Sequence, residues 1–449
     1  MSNNTCQNYI RSYYFIAFEV HSKRLSLPFY LFLDRKGSIF TISIMFLIPT
    51  LHIMYVHAQQ NIPGVVASIG KGEPAVRDPD LRIETVATGL VLPTTMAFVG
   101  PDDILVLEKS KGTVQRIVNG QMLAEPLLQV NVSSQVERGM LGIATSKDNQ
   151  TGKSYVFLYF TESESQGGDP VASRLYRYEI TNNKLINPKL LLALPAVPGP
   201  RHNAGNIMIG PDNNLYVSIG DLDGHITMAQ NVKDGGKPDG SSAILKITQD
   251  GQAPREGTLG DTGISKKYYA YGIRNTFGMD FDPVTDRLWD TENGPSYGDE
   301  INLVEPGFNS GWLKVQGMAP IDFNSEQALV NFQGNGNYRD PEFVWTDTVG
   351  PTGIKFLDSD TLGKQYENDI FVSDVTQGNI YHFELDANRT RLALEGVLAD
   401  KIANNATENE GIIFGEGFGG ITDLEVGPYD GYLYIVSLGH GTIYRIVPR

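Results

Sequence analysis

The chain has 449 residues, 41% of them apolar, with 48 Gly and 24 Pro, so it can bury a large core but must turn often. Its formal net charge of −16 argues against a nucleic-acid partner, whose phosphates would repel it. A single cysteine, Cys6, excludes a disulfide scaffold, thiol catalysis in the body of the chain, and cysteine-ligated zinc or iron–sulfur sites.

Residues 38–56, SIFTISIMFLIPTLHIMYV, are almost wholly apolar, with Arg35 and Lys36 before them and HAQQ after. A basic flank, an apolar run and a small-residue site read as a secretory signal cleaved after Ala58. The alternative is a single membrane anchor, since about 19 apolar residues just span a bilayer. Pro49 and the VHA site favour cleavage and an extracellular or cell-surface protein. Residues 1–34 read as an upstream extension, 59–82 as a linker and 83–449 as one domain. Cleavage would remove Cys6, five Lys/Arg and two Asp/Glu, taking the net charge from −16 to −19.

Beyond the linker one phrase recurs: an Asp-, Gly- or Asn-rich turn, an apolar strand, a second turn and an alternating strand. It falls near 102–120, 153–180, 213–251, 286–307, 368–386 and 431–446. The strands are rich in Val, Ile, Tyr and Leu, which suit a pleated, half-buried surface. Spacing of about 50–80 residues fits one blade per copy. The expectation is an all-β, six-bladed β-propeller of four-stranded antiparallel blades. The last strand should pair with an early one, closing the ring and removing exposed sheet edges.

Beyond the signal four histidines remain. His382 lies within a strand and is expected to pack there. His440, in LGHGT, is expected to be solvated, and His225 could face the channel. His202 opens RHNAGNIMIGPDNNLYVSIGD, in which a GPDNN turn joins two strands and Asp221 ends the second. A hairpin returns both residues to one end of the blade. An aspartate beside a histidine fixes its tautomer and raises its basicity, as a general base requires, and leaves the other ring nitrogen free to face the channel.

Residues 292–300 form an acidic turn. Glu292, Asp299, Glu300 and the Gly294 and Pro295 carbonyls offer the hard oxygens that calcium takes in sets of six to eight. DLDGHIT at 221–227 starts like an EF-hand loop but lacks the later acidic ligands.

LVLPTTMAF (90–98), ERGMLGIA (137–144), the His202 stretch, YGIRNTFGMDFDP (271–283), ENGPSYGDEINLVEPGFNSGW (292–312) and GGITDLEVGPYDGYLYIVS (419–437) occur in that order. Together they resemble the soluble glucose/sorbosone dehydrogenase family, which includes aldose sugar dehydrogenases that use pyrroloquinoline quinone (PQQ). The resemblance covers roughly residues 83–447 and implies a six-bladed propeller. It implies that His202 takes the proton of a sugar C1 hydroxyl, with Asp221 as its partner, while hydride passes to the quinone. Arg274 and Asn275 match residues contacting the quinone, and Thr352 a threonine near it. Gly294 and Pro295 match carbonyl ligands of an active-site calcium. Asp299 and Glu300 match acidic residues near a structural one. Implied partners are a small sugar and an external electron acceptor.

The chain departs from the pattern where the family holds the three PQQ carboxylates with a lysine and two arginines. Thr376, Gly420 and Thr422 stand at those positions. Losing three charge-assisted hydrogen bonds costs about 5–9 kcal/mol. Calcium and Arg274 would have to compensate, with Lys355 and Arg201 as further candidates. Two other readings stay open: a calcium-dependent, lactonase-type hydrolase on the same frame, and a binding module without chemistry.

Overall fold

The computed structural model describes residues 73–254, 259–260 and 263–449. The apolar segment 38–56 and its flanks lie outside the described residues.

Strands dominate, and the two α-helices among the described residues, Ser325–Ala328 and Asn405-capped Ala406–Asn409, are single turns. The strands pair into six sheets. Their innermost strands are β1 (Pro93–Gly100), β2 (Met140–Lys147), β3 (Ile207–Ile209), β4 (Thr276–Phe281), β5 (Pro351–Phe356) and β6 (Ile421–Val426). Each lies beside the next, and β6 lies beside β1, so the ring is closed. This is an all-β propeller.

Local sequence explains the meander within each sheet. In the second, the strands Pro170–Thr181 and Lys184–Leu194 are joined by Asn182 and Asn183, at φ 49° and 56°. Two successive left-handed residues make the tight turn whose twist matches that of paired strands, and Asn tolerates that conformation.

Four strands per sheet holds for only two of the six. The first sheet adds short outer pieces at Gln121–Met122 and Leu128–Gln129. The third and fourth are extended by strands running parallel to their neighbours, such as Phe308–Asn309 beside Tyr268–Tyr271. Ala75–Val76 adds an edge to the fifth, and Leu81–Thr88 pairs with Thr442–Pro448 in the sixth. Sheet structure therefore starts ahead of residue 83, because outer edges recruit backbone from any segment passing within hydrogen-bond reach.

Six apolar clusters fill the wedges between neighbouring sheets. Phe157, Leu175, Leu215 and Leu245 join the second to the third, for example, and Val106, Ile117, Val436 and Ile443 join the sixth to the first. With both faces of every sheet covered, the second strands read as continuous apolar runs, such as LYVSI at Leu215–Ile219, buried throughout.

Candidate active site at one end of the channel

The loops entering β1–β6 gather at one end of the ring, where the second strand of each sheet also finishes. His202 lies in the loop entering β3, and Asp221 follows the strand Leu215–Ile219 of the same hairpin. His202 has φ 56°, Ala204 46° and Leu222 53°, a left-handed conformation that non-glycine residues rarely adopt. Strain of this kind persists where surrounding contacts over-determine the backbone, and it clusters at functional sites. Here Glu137, in the loop entering β2, accepts the His202 backbone N–H at 2.6 Å.

His202 Nδ1 lies 2.5 Å from Asp221 Oδ1, and Trp312 Nε1 donates to Asp221 Oδ2 at 2.8 Å. Burial pushes the Asp221 carboxyl up. The hydrogen bonds from His202 and Trp312, with the charge of Arg274, outweigh it and hold the group below the ordinary aspartate range. The ionised carboxylate assigns the ring proton to Nδ1 and leaves the lone pair on Nε2.

That lone pair is occupied. Arg274 Nη2 approaches His202 Nε2 to 2.7 Å, and Arg274 Nη1 donates to the Asn293 carbonyl at 2.7 Å. The expectation of a ring nitrogen open to the channel is corrected: a guanidinium caps it, because Arg274 ends the loop entering β4 directly across from His202. Asn275 faces inward, accepting from the Ala204 N–H at 3.2 Å and reaching Glu137 at 3.4 Å.

Thr352 does not belong to this constellation. It is buried, and its hydroxyl bonds the Ile421 carbonyl at 2.7 Å and Ser373 Oγ at 3.0 Å, tying β5 to β6. The other histidines stand apart: His225 pairs with Asp239 (2.6 Å), half-buried His440 with Tyr444 (3.0 Å), and His382 packs among aromatics with Asp369 at 2.8 Å. The packing of His382 matches its expectation; His225 and His440 are half-buried and hydrogen-bonded.

The acidic loop satisfies its own backbone. Asp299 accepts the N–H groups of Gly294, Val349 and Gly350, at 2.7, 2.7 and 2.8 Å. Glu300 accepts from Gly317 N at 2.6 Å, Gln316 Nε2 at 2.9 Å and Asn302 Nδ2 at 3.1 Å. Burial drives the carboxyls behind the loop towards their neutral forms, Asp290 to about 7 and Glu292 to about 8, with Glu300 well above the usual range. Asp290 Oδ1 and Asn302 Oδ1 lack partners, and the two residues face each other in cross-strand register. A proton on Asp290 supplies the missing donor. Among the described residues no three Asp, Glu, His or Cys side chains group so as to hold a metal ion. Asp299 and Glu300 spend their oxygens on N–H donors and not on one another, and Gly294 and Pro295 would offer a cation only their backbone carbonyls.

Nor do the residues fit the three carboxylates of PQQ. Thr422 is buried, with its hydroxyl on the Pro93 carbonyl at 3.1 Å. Gly420 has φ 78°, and a Cβ there would lie 2.8 Å from the Val375 carbonyl. Thr376 sits in an exposed bend. Of the candidates to compensate, Lys355 is engaged inside the channel by Glu425 at 2.8 Å and Asp280 at 3.4 Å, and Arg201 reaches Asp223 at 4.0 Å.

Sequence reasoning missed Glu137 and Trp312. Glu137 opens the ERGMLGIA motif directly ahead of β2, and that position was its signal. Trp312 closes the ENGPSYGDEINLVEPGFNSGW motif, which was its signal, although its approach to Asp221 spans 91 residues.

The model of the glucose/sorbosone dehydrogenase family matches residues 90–445. The chain belongs to that family. It is 24% identical over 374 residues to the aldose sugar dehydrogenase YliI of Escherichia coli, covering 82% of this chain and 93% of that protein. It is 26% identical over 291 residues to quinoprotein glucose dehydrogenase B of Acinetobacter calcoaceticus, covering 60% and 59%. Among solved structures, a putative glucose dehydrogenase of Thermus thermophilus superposes with a TM-score of 0.63 at 26% identity, over 82% of this chain and all of that one. The PQQ-bound aldose sugar dehydrogenase of Streptomyces coelicolor shares the fold, with a TM-score of 0.60 at 23% identity over 84% of this chain and all of that one.

Proposed function

We propose that this protein is a sugar dehydrogenase-like oxidoreductase, each of its six sheets being one blade, that oxidises the C1 hydroxyl of an aldose at the His202 end of the channel. The observation that carries this reading is the buried Asp221–His202 pair, oriented by Trp312 and aimed at Arg274. A sugar hydroxyl takes the place of the Arg274 Nη2–H at His202 Nε2. The hydroxyl proton moves to Nε2 as hydride leaves C1, and ionised Asp221 steadies the imidazolium on the opposite nitrogen. The displaced guanidinium stays beside the sugar oxygen and stabilises its developing charge. The hydride passes to an externally supplied two-electron acceptor of the quinone class, which these side chains do not themselves provide. No step is assigned to calcium or PQQ.

The lack of cations at Thr376, Gly420 and Thr422 favours a second reading, a hydrolase in which His202 activates water. One experiment separates the two. Purified protein is assayed for dye reduction against an aldose panel, with and without added PQQ and calcium, and in parallel for lactone hydrolysis. Sugar-dependent dye reduction supports the first reading; hydrolysis without dye reduction replaces it with the second.

We also propose export with cleavage after Ala58, supported by the Arg35–Lys36 flank and the VHA site. N-terminal sequencing of the exported protein should begin at Gln59, and an intact 38–56 segment in the membrane fraction would mean an anchor.

A further inference from the structure

Lys109 follows the strand Asp103–Glu108 of the first sheet, at the same end of the channel as His202. Its backbone is pinned on both sides: its N–H donates to the Leu92 carbonyl and its carbonyl accepts from Met140 N, each at 3.0 Å. Its stem runs against Gly139, where a Cβ would lie 2.7 Å from Lys109 Cγ. The residue is only 8% exposed, and its ammonium has no hydrogen-bond partner.

Buried ammonium groups are normally paired, because an unsatisfied charge away from water is costly. Burial pushes Lys109 down to about 8, against the pull of the Glu137 carboxylate, which leaves it charged at neutral pH. Glu137 stands between the two residues: it attracts the ammonium and holds the His202 backbone, yet it makes no hydrogen bond to Nζ. The neighbouring Arg138 is not an alternative, since its guanidinium is committed to the Ala196 and Gly199 carbonyls, at 2.5 and 2.8 Å.

We propose that Lys109 is an anion-receiving group of the channel-end site, taking a carboxylate of the bound ligand on the side of the first and second sheets. This rests on the reading of that end as the sugar site. It places the ligand's negative charge away from Thr376, Gly420 and Thr422, where cations are absent. Beside it Glu137 offers an acceptor for ligand hydroxyls. A hydroxylated carboxylate satisfies both groups, and it comes either from the substrate, as a sugar acid, or from a carboxylated cofactor.

Calorimetric titration of the full protein tests this with three probes: glucose, glucuronate, and PQQ with calcium. If the carboxylate is the substrate's, glucuronate binds about tenfold tighter than glucose, as one charge-assisted hydrogen bond provides. Lys109→Met should abolish that margin and Lys109→Arg should keep most of it. If the carboxylate is the cofactor's, Lys109→Met weakens PQQ about tenfold and glucuronate shows no advantage. A second readout needs no variant: glucuronate or PQQ should raise the melting temperature of the wild type more than glucose does at the same concentration. The proposal is overturned if Lys109→Met binds all three probes as the wild type does, if the wild type binds neither carboxylate, or if neither carboxylate raises the melting temperature more than glucose does. None of these measurements uses turnover, so loss of the dehydrogenase reading and loss of this one are distinguishable.

Discussion

Among single residues, the site depends on which hydrogen-bond partner occupies each ring nitrogen of His202. Asp221 holds Nδ1, and Trp312 holds Asp221. His202→Ala should lower turnover about 10²–10⁴-fold, the usual worth of a positioned base, without loss of the folding transition. Asp221→Asn should cost less, because the ring remains but loses its fixed tautomer and its counter-charge. Trp312→Phe should cost least. Steady-state kinetics on the three variants checks the order, and full activity in His202→Ala would remove the base.

A second residue, Asp280, allows a stability prediction. It lies on β4 inside the channel, with Phe356 N on its Oδ2 at 2.8 Å and Lys355 at 3.4 Å. Burial, opposed by Lys355, raises it to about 6 from a usual value of 3.8. The folded state therefore keeps the proton while the unfolded chain has lost it. The stability this contributes is complete below about pH 4 and disappears as pH rises to about 6, an effect on the order of 3 kcal/mol. In Asp280→Asn that slope should vanish. Urea unfolding at pH 4 to 7 should show the variant gaining on the wild type up to pH 6 and not beyond.

Among the elements, the turns after the second strands and before the inner strands decide what a ligand meets. Gly420 cannot become arginine cheaply: its φ of 78°, and the Val375 carbonyl 2.8 Å from where a Cβ would stand, leave no unstrained place for a side chain. Thr376 is exposed on its bend and can change. Thr376→Lys should leave the melting temperature nearly unchanged and tighten PQQ about tenfold. Gly420→Arg should destabilise by about 1–3 kcal/mol. Thermal melts and PQQ titration measure both. A Gly420→Arg variant as stable as the wild type would show that the loop before β6 adapts, and the steric account would fall.

For the molecule as a whole, closure matters most. Leu81–Thr88 pairs with the terminal strand Thr442–Pro448, so the sixth sheet is built from both ends of the described chain. Loop-closure entropy is recovered only once that pairing forms. Deleting residues 441–449 should expose two strand edges and the apolar cluster around Val436 and Ile443. The cooperative unfolding transition should then be lost or fall sharply, as read by calorimetry. A truncated chain melting at the wild-type temperature would mean that the ring holds without this strand.

The strand-rich class, the recurring blade phrase and the His202–Asp221 pairing were legible in the sequence, because these are set over short spans by alternation, turn residues and a hairpin that returns its ends to one place. The order of motifs was enough for the family. Three-dimensional packing settled which partners the side chains finally meet. The approach of Arg274 to His202 spans 72 residues and that of Trp312 to Asp221 spans 91, and both depend on how neighbouring sheets pack. Thr352 and Asp299 looked like site residues because a motif shows the residue type but not where its oxygens point. Packing turned the first into a tie between β5 and β6 and the second into a cap for three backbone N–H groups. The charge left over at Lys109 is likewise a property of the folded ring, since only burial between strand and loop separates that ammonium from water and from every acceptor.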